Sequence, residues 1–202
     1  MEYGHFSEDG REYVITRVPT PRAWENFASN SRYGLKIDAV GGGYSLLPVA
    51  PGNRVTFASE GEPFGKVFYL RDRDSGRHWS LSWQPVGGAY ERFACRHGVG
   101  YTVFEMLAEG IETSLRVFVP REGPVEIWTA RVKNTGREAR RLTLFPYVEW
   151  HLAPHMKPWD NYRNYIEAHW VEEGLIASRL WDPAATGQYY SGFAAVNRKC
   201  AG

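Results

Sequence analysis

The chain has 202 residues, a formal net charge of +1, 43% hydrophobic residues and 23% charged residues. These values are typical of a globular domain with a sizeable core, and the near-zero charge argues against a dedicated nucleic-acid-binding protein, which needs a basic surplus. We expect no membrane contact, because no stretch approaches the roughly 20 apolar residues of a membrane span and the N-terminus lacks the pattern of a signal peptide.

Alternating apolar and polar residues predict short strands in antiparallel pairs. In chain order, the predicted pairs are residues 67–70 with 79–83, 101–107 with 111–119, 125–133 with 141–150, and 165–171 with 175–181. A turn sequence ending in glycine lies between the members of each pair. Because side chains alternate along a strand, Trp79, Leu81 and Trp83 are predicted to share one face, and Trp128, Ala130 and Val132 another.

The sequence therefore predicts an all-β fold. No segment sustains helical spacing over three turns, because glycine and proline interrupt most windows. Many strands at regular spacing favour an antiparallel two-sheet sandwich. A last predicted strand, at residues 188–196, comes close to the final residue and would form a sheet edge without an evident partner. We therefore expect an incomplete sandwich, cut before its last strands.

Aromatic residues are unusually abundant, at 15% of the chain. Flat aromatic rings offer the apolar faces on which sugars stack, so this composition favours a carbohydrate ligand. The alternative is that most of the rings fill and edge a β-rich core.

Candidate catalytic and metal-binding residues give only weak signals. His151 and His155 have the spacing of a zinc-binding pair on a helix, but Pro154 opposes that helix, so we expect two loop histidines. Cys95 and His97 would share a strand face as a thiol–imidazole pair, but no third residue orients them, so we expect packing instead. A chain with two cysteines fits a reducing cytoplasm.

The acidic residues and glycines also point to no catalytic site of their own. Carboxylate pairs at residues 8–9, 72 and 74, and 172–173 fall in predicted turns, where solvated surface charge is expected. The Gly-Gly-Gly run at residues 41–43 is not followed by the Lys-Ser/Thr pair of a phosphate loop, and no dinucleotide-binding motif follows a predicted strand. We therefore predict no catalytic residue, no metal and no cofactor in this chain.

Several segments, in this order and spacing, resemble the N-terminal region of glycoside hydrolase family 94, formerly glycosyltransferase family 36. They are residues 4–16, 20–26, 42–45, 69–72, 83–86, 96–102 and 132–135. Members of the family include cellobiose, chitobiose and laminaribiose phosphorylases. The resemblance extends over nearly the whole chain.

The resemblance implies a galactose-mutarotase-like β-supersandwich, here residues 1–202 and incomplete, which the family follows with an (α/α)6 catalytic barrel absent from this chain. It implies inverting phosphorolysis, in which inorganic phosphate is the co-substrate, a β-linked glucoside is cleaved to a sugar 1-phosphate, and an Asp protonates the leaving oxygen. That Asp belongs to the barrel, so this piece would support substrate binding and homodimer formation without the general acid. The alternative is a free-standing carbohydrate-binding or assembly module without catalytic activity.

Two segments are candidates for substrate contact. The first contains Gly43, Tyr44 and Ser45, since glycine permits close backbone approach and the ring and hydroxyl suit a sugar. Its alternative is a glycine-rich turn with a packed tyrosine.

The second candidate segment contains Asn161, Tyr162 and Arg163. Its amide and ring suit sugar hydroxyls, and the guanidinium suits phosphate or an acidic sugar. The alternative here is a solvated linker between strands. The stretch is one residue shorter than the string that relatives tend to carry at this place.

Overall fold

The computed structural model describes residues 2–48, 53–58, 63–153, 165–171, 175–181 and 189–194. These residues contain strands and turns and no helix, so the prediction of an all-β fold is confirmed. None of them belongs to a helix long and apolar enough to cross a bilayer.

The first layer is a six-stranded antiparallel sheet in the order β1-β2-β9-β10-β11-β12. Its strands are β1 (Gly4–Phe6), β2 (Glu12–Ile15), β9 (Arg92–Gly98), β10 (Tyr101–Ala108), β11 (Ile111–Phe118) and β12 (Ile127–Asn134). The β10–β11 hairpin is the second predicted pair, and its turn contains Glu109 and Gly110, both at positive φ.

The second layer joins a five-stranded and a three-stranded sheet, in the orders β14-β6-β5-β4-β3 and β13-β7-β8. Their strands are β3 (Glu25–Ser29), β4 (Gly34–Asp38), β5 (Gly43–Leu47), β6 (Asn53–Thr56), β7 (Lys66–Asp72), β8 (His78–Ser80), β13 (Leu142–Val148) and β14 (Trp150–Ala153). The backbone of Glu149 joins the two sheets, because its N–H donates to Gly65 and its carbonyl accepts from Phe57.

A separate three-stranded antiparallel sheet has the order β15-β16-β17, with β15 (Tyr165–Val171), β16 (Leu175–Trp181) and β17 (Tyr189–Ala194). The fourth predicted pair is therefore confirmed. The strand predicted at residues 188–196 also forms, as β17, but the expectation that it lacks a partner was wrong, because it pairs with β16.

The core lies between the two layers. Phe104, Ile111 and Leu115 from the first layer are fully buried against Leu35 and Leu70 from the second. Burying side chains of this size contributes about 1.5–3 kcal/mol each. Trp128 packs at the rim of this core, where its ring stacks on Phe68 with centroids 5.4 Å apart. Ala130, on the same predicted face, also packs against the core, whereas Val132 is exposed.

The third predicted pair is wrong as a hairpin. Strand β12 pairs with β11 in the first layer, whereas β13 pairs with β7 in the second. The chain crosses between the layers here, and Arg140 fixes the crossing segment by binding the buried carboxylate of Asp72 and donating to the Glu109 carbonyl. The strand predicted at residues 141–150 is accordingly divided between β13 and β14 at the sheet junction.

Two further expectations need correction near β8. The predicted strand at residues 79–83 ends at Ser80, and Trp83 adopts φ +78° in the following turn. Trp79 and Leu81 are nevertheless buried. Asp72 was expected on the solvated surface, but it is 1% exposed and accepts the backbone N–H of Asp74, so it organises the turn from inside.

The amide of Asn30 ties the turn between β3 and β4 to the loop between β11 and β12. Its Nδ2 donates to the carbonyls of Pro120 and Gly123, at 2.7 and 2.9 Å. Its Oδ1 accepts the backbone N–H groups of Arg32 and Tyr33. One side chain therefore fixes the loop that leads into β12.

Replacing Trp128 by Ala is expected to lower the free energy of unfolding by about 3 kcal/mol, the lower end for a large aromatic side chain, because the ring is only half-buried. Urea denaturation measures the loss. The neighbouring exposed Thr129→Ala is the control and should change stability by less than about 0.5 kcal/mol. A loss of that small size for Trp128→Ala would contradict its packing role.

Replacing Asp72 by Asn is expected to destabilise the protein near neutral pH and to matter less in acid. The Asp74 backbone N–H, and then Arg140, lower the pKa of Asp72 from 3.8 to about 2. A lowered carboxyl pKa stabilises the folded state while the group is ionised, so this stability is present above about pH 4 and is lost as the pH falls towards 2.

Denaturation of both proteins across that pH range tests this expectation. The gap between wild type and Asp72→Asn should close as the pH falls. Asp74→Asn, which breaks the exposed pair with Arg141, is the control with a smaller effect. A gap of constant size at every pH would show that ionised Asp72 adds nothing.

Candidate functional site

The glycine turn between β4 and β5 is fixed from inside by a carboxylate. Asp38 is buried, and its Oδ1 accepts the backbone N–H groups of Val40 and Gly42 at 2.9 and 2.8 Å. Burial raises the pKa of Asp38, an effect that these hydrogen bonds oppose. Gly43 has φ +142°, and a Cβ there would collide with the carbonyl of Lys36, so this turn requires glycine where β5 begins.

The two candidate residues that follow lie on opposite faces of β5. Tyr44 is half-buried on the outward face, directly opposite Lys36 of β4. Ser45 is fully buried on the inward face. The turn therefore presents one of the two polar groups outward and the other to the interior.

Ser45 belongs to a buried polar cluster, which we define as Ser45, Lys66 and Glu126 with the flanking rings of Tyr33 and Trp128. The hydroxyl of Ser45 donates to Glu126 Oε2 at 2.6 Å and accepts a hydrogen bond from Lys66 Nζ. Lys66 Nζ also contacts both carboxylate oxygens of Glu126, at 2.7 and 2.9 Å. The side chains of Lys66 and Glu126 are 8% and 12% exposed, so this ion pair is shielded from water.

The flanking rings complete the polar cluster. Trp128 Nε1 donates to Glu126 Oε1 at 3.1 Å, and the Trp128 ring centroid lies 5.3 Å from Lys66 Nζ. Burial lowers the pKa of Lys66, while Glu126 opposes that shift. Burial, and then the charge of Glu126, raise the pKa of the Tyr33 phenol. Every charge in the polar cluster is thus met by a partner, which suits it to joining the layers rather than to proton transfer.

Sequence analysis missed this cluster. Lys66 stands immediately before a predicted strand and Glu126 is the second residue of another, and a charged residue is ordinary at both places; the two are also far apart in the chain. The one local signal is a lysine at the start of the apolar run at residues 67–70.

The outward face around Tyr44 is rich in positive charge. The guanidinium carbon of Arg54 lies 3.3 Å from the Tyr44 ring centroid, and Lys36 Nζ lies 5.5 Å from it. Lys36 is paired with Glu25 at 2.6 Å. One face of the Tyr44 ring is therefore occupied by Arg54, so a ligand there meets the guanidinium and the phenol edge.

The second predicted segment, Asn161, Tyr162 and Arg163, lies outside the described residues. Its role in substrate contact stays a prediction, as does that of Gly43, Tyr44 and Ser45.

Cys95 and His97 are packed as expected. Cys95 is buried, with Sγ 3.8 and 3.9 Å from the two ring nitrogens of His97. The same nitrogens contact Thr102 Oγ1 at 2.9 Å and the Trp24 carbonyl at 3.2 Å. Burial raises the pKa of the Cys95 thiol and lowers the pKa of His97. Both groups are therefore neutral, and the thiol is a poor nucleophile.

The candidate zinc pair is only partly described. His151 is buried in β14, with its ring centroid 6.0 Å from that of Phe57, and His155 lies outside the described residues. Across the described part of the chain, no group of three His, Cys, Asp or Glu side chains is placed to hold a metal ion.

The fold is that of an antiparallel β-sandwich domain, and comparison with known proteins identifies its family. A family model described as the supersandwich domain of glycosyl hydrolase 94 matches residues 11–200. The chain therefore belongs to the glycosyl hydrolase 94 family, and it carries that family's supersandwich domain.

Several of the similar curated proteins are named as phosphorylases. The chain is 39% identical over 154 residues to the N,N'-diacetylchitobiose phosphorylase of Vibrio proteolyticus, covering 74% of this chain and 19% of that protein. It is 30% identical over 206 residues to the solabiose phosphorylase of Paenibacillus borealis, covering 99% of this chain and 27% of that protein. It is 39% identical over 143 residues to the 3-O-beta-D-glucopyranosyl-beta-D-glucuronide phosphorylase of the same organism, covering 71% of this chain and 18% of that protein. The chain thus spans about a fifth to a quarter of the length of these relatives.

Replacing Lys66 by Met is expected to destabilise the protein by about 3–5 kcal/mol, because it leaves the Glu126 carboxylate buried without its cation. The double variant Lys66→Met/Glu126→Leu removes both charges and should recover most of that loss. Chemical denaturation measures all three proteins.

Lys36→Met is the matched control, since its pair with Glu25 is about a quarter exposed and should be worth about 1 kcal/mol or less. Equal losses for Lys36→Met and Lys66→Met would contradict a special role for the buried polar cluster.

Proposed function

We propose that this chain is the N-terminal sandwich region of an inverting glycoside phosphorylase. The whole protein cleaves a β-linked glucoside with inorganic phosphate and releases a sugar 1-phosphate. The single observation that supports this proposal most strongly is the match to the supersandwich domain over residues 11–200, together with relatives that are phosphorylases.

In this proposal residues 1–202 are one domain, and the general acid is supplied by an (α/α)6 barrel in the remainder of the protein. The share of the relatives that the chain spans, 19% and 27%, leaves room for such a domain. The described carboxylates support this division of labour, because those buried in the sandwich are engaged. Asp38 holds a turn, Asp72 binds Arg140, and Glu126 binds Lys66.

The contribution of the sandwich is to bind substrate and to form a cytoplasmic homodimer. Within the segment Gly43–Tyr44–Ser45, Tyr44 supports the binding role because it lies on the outward face of β5, whereas Gly43 lets the backbone pass close to β4 and Ser45 anchors the strand in the buried polar cluster. Asn161, Tyr162 and Arg163 are proposed as a second substrate contact on the strength of their side-chain chemistry. The ligand is a β-linked oligosaccharide.

Phosphorolysis is tested with the full-length protein that carries this chain. Cellobiose, laminaribiose, sophorose and chitobiose are incubated with and without phosphate, and ¹H and ³¹P NMR follow the products. A sugar 1-phosphate of inverted anomeric configuration is expected from at least one disaccharide, and no cleavage is expected without phosphate.

Cleavage that continues without phosphate would identify a hydrolase instead. Binding of a disaccharide, seen by tryptophan fluorescence, with no conversion under any condition would favour the free-standing binding module. Light scattering of the same sample tests the homodimer, which a monomeric mass would overturn.

A further inference from the structure

Aromatic and cationic side chains form a row on the outward face of the five-stranded sheet, which we call the outward row. Phe27 lies directly opposite Lys36, and Lys36 directly opposite Tyr44, on three adjacent strands. Arg54 reaches the row from β6, the next strand, where it lies opposite Leu46. Phe27 is 63% exposed, so the row is open to a ligand at that end.

Arg54 is the second cation in this row. Across the described residues it forms no ion pair, whereas the neighbouring Lys36 is neutralised by Glu25 at 2.6 Å. Its one hydrogen bond is a long contact of 3.4 Å from Nη1 to the Ala58 carbonyl. Partial burial lowers the pKa of the guanidinium, as expected for a cation that has lost water without gaining an anion.

The orientation of Arg54 is nevertheless fixed. Its guanidinium lies over the Tyr44 ring, with the central carbon 3.3 Å from the centroid, so the ring holds this cation against β5. The side chain of Arg54 is half-buried, and among the described residues its one hydrogen-bond acceptor is the Ala58 carbonyl.

A planar, pre-oriented guanidinium with open N–H groups is the protein group best suited to bidentate binding of a carboxylate or phosphate. An arginine that only supported the fold would spend its donors on carbonyls or carboxylates of the chain, as Arg140 does with Asp72 and Glu109. Arg54 has five N–H donors, and within the described residues only the Ala58 carbonyl accepts a hydrogen bond from them.

We propose that the outward row is a binding subsite for a carbohydrate that carries an anionic group, with Arg54 binding the anion. The anion is a carboxylate, as in an acidic sugar, or a phosphate, as in a sugar phosphate; both accept the same pair of N–H donors. Phe27 and Tyr44 stand two strand spacings apart, about 9–10 Å, a distance that a disaccharide can span. This proposal rests on the proposed function for the role of Tyr44 in sugar contact, but anion binding by Arg54 does not require phosphorolysis.

The test measures binding to the full-length protein by isothermal titration calorimetry, with glucuronate, glucose 1-phosphate, inorganic phosphate and neutral glucose as separate probes. Wild type, Arg54→Gln and Arg54→Lys are compared. Arg131→Gln is the matched control, because Arg131 is an exposed arginine on β12 and makes no ion pair with the described residues. Thermal unfolding of each variant checks that the fold is kept.

Arg54→Gln is expected to weaken binding of at least one anionic probe by about 10-fold or more, the effect of losing a charge-assisted hydrogen-bonded pair. Arg54→Lys should recover only part of that affinity, since an ammonium cannot bind in bidentate fashion. Glucose binding and Arg131→Gln should stay at wild-type values. The probe that loses affinity shows whether the natural anion is a carboxylate or a phosphate.

Equal affinities of wild type and Arg54→Gln for all anionic probes would overturn the proposal, as would a wild-type protein that binds none of them at millimolar concentration. If Arg54→Gln unfolds, the affinity of Arg54→Lys for the anionic probes decides the question, because lysine keeps the positive charge but lacks the paired N–H donors of the guanidinium. Phosphorolysis is measured in parallel. Anion binding at Arg54 without any phosphorolysis would defeat the proposed function and leave this subsite standing.

Discussion

The architecture depends on one ion pair withdrawn from water. Lys66 begins β7, Glu126 leads into β12, and Ser45 lies in β5, so their contacts join three sheets at one point. An isolated charge in that position would cost several kcal/mol, but here each charge has hydrogen-bonding partners within 3 Å. Such a polar cluster adds little net stability over an apolar one, but it penalises every packing in which the partners are misaligned. The register of the layers follows from that penalty.

The same constraint separates the two faces of β5. Because Ser45 is held inside, the alternation of side chains turns Tyr44 outward, where it meets Lys36 and Arg54. The buried polar cluster and the outward row therefore lie on the two faces of the same strand, β5. The buried carboxylates of the described sandwich already hold structural contacts, so the sandwich positions side chains and leaves none of these carboxylates free.

Local periodicity was enough to predict much of the fold from the sequence. The hairpins at β7–β8, β10–β11 and β15–β16 follow from alternation and from turn residues between the strands. The crossing from β12 to β13 could not be predicted this way, because it depends on the long-range bond between Arg140 and Asp72. The polar cluster and the position of Arg54 could not be predicted for the same reason. A charged residue beside an apolar run is expected to be solvated unless its distant partners are known. The turn at Gly43 and Tyr44 could be predicted because a glycine run marks a turn. Family membership could be predicted because several loosely defined motifs occur in the family's order.

The clamp made by Asn30 has an evolutionary consequence. Its amide donates hydrogen bonds to the carbonyls of Pro120 and Gly123, and Gly123 lies three residues before Glu126 in the chain. Surface connections between strands usually drift in length among relatives, but an insertion here would carry Glu126 away from Lys66. Longer connections are therefore expected at other turns, such as the exposed turn around Gly10 between β1 and β2, which contains no buried charge.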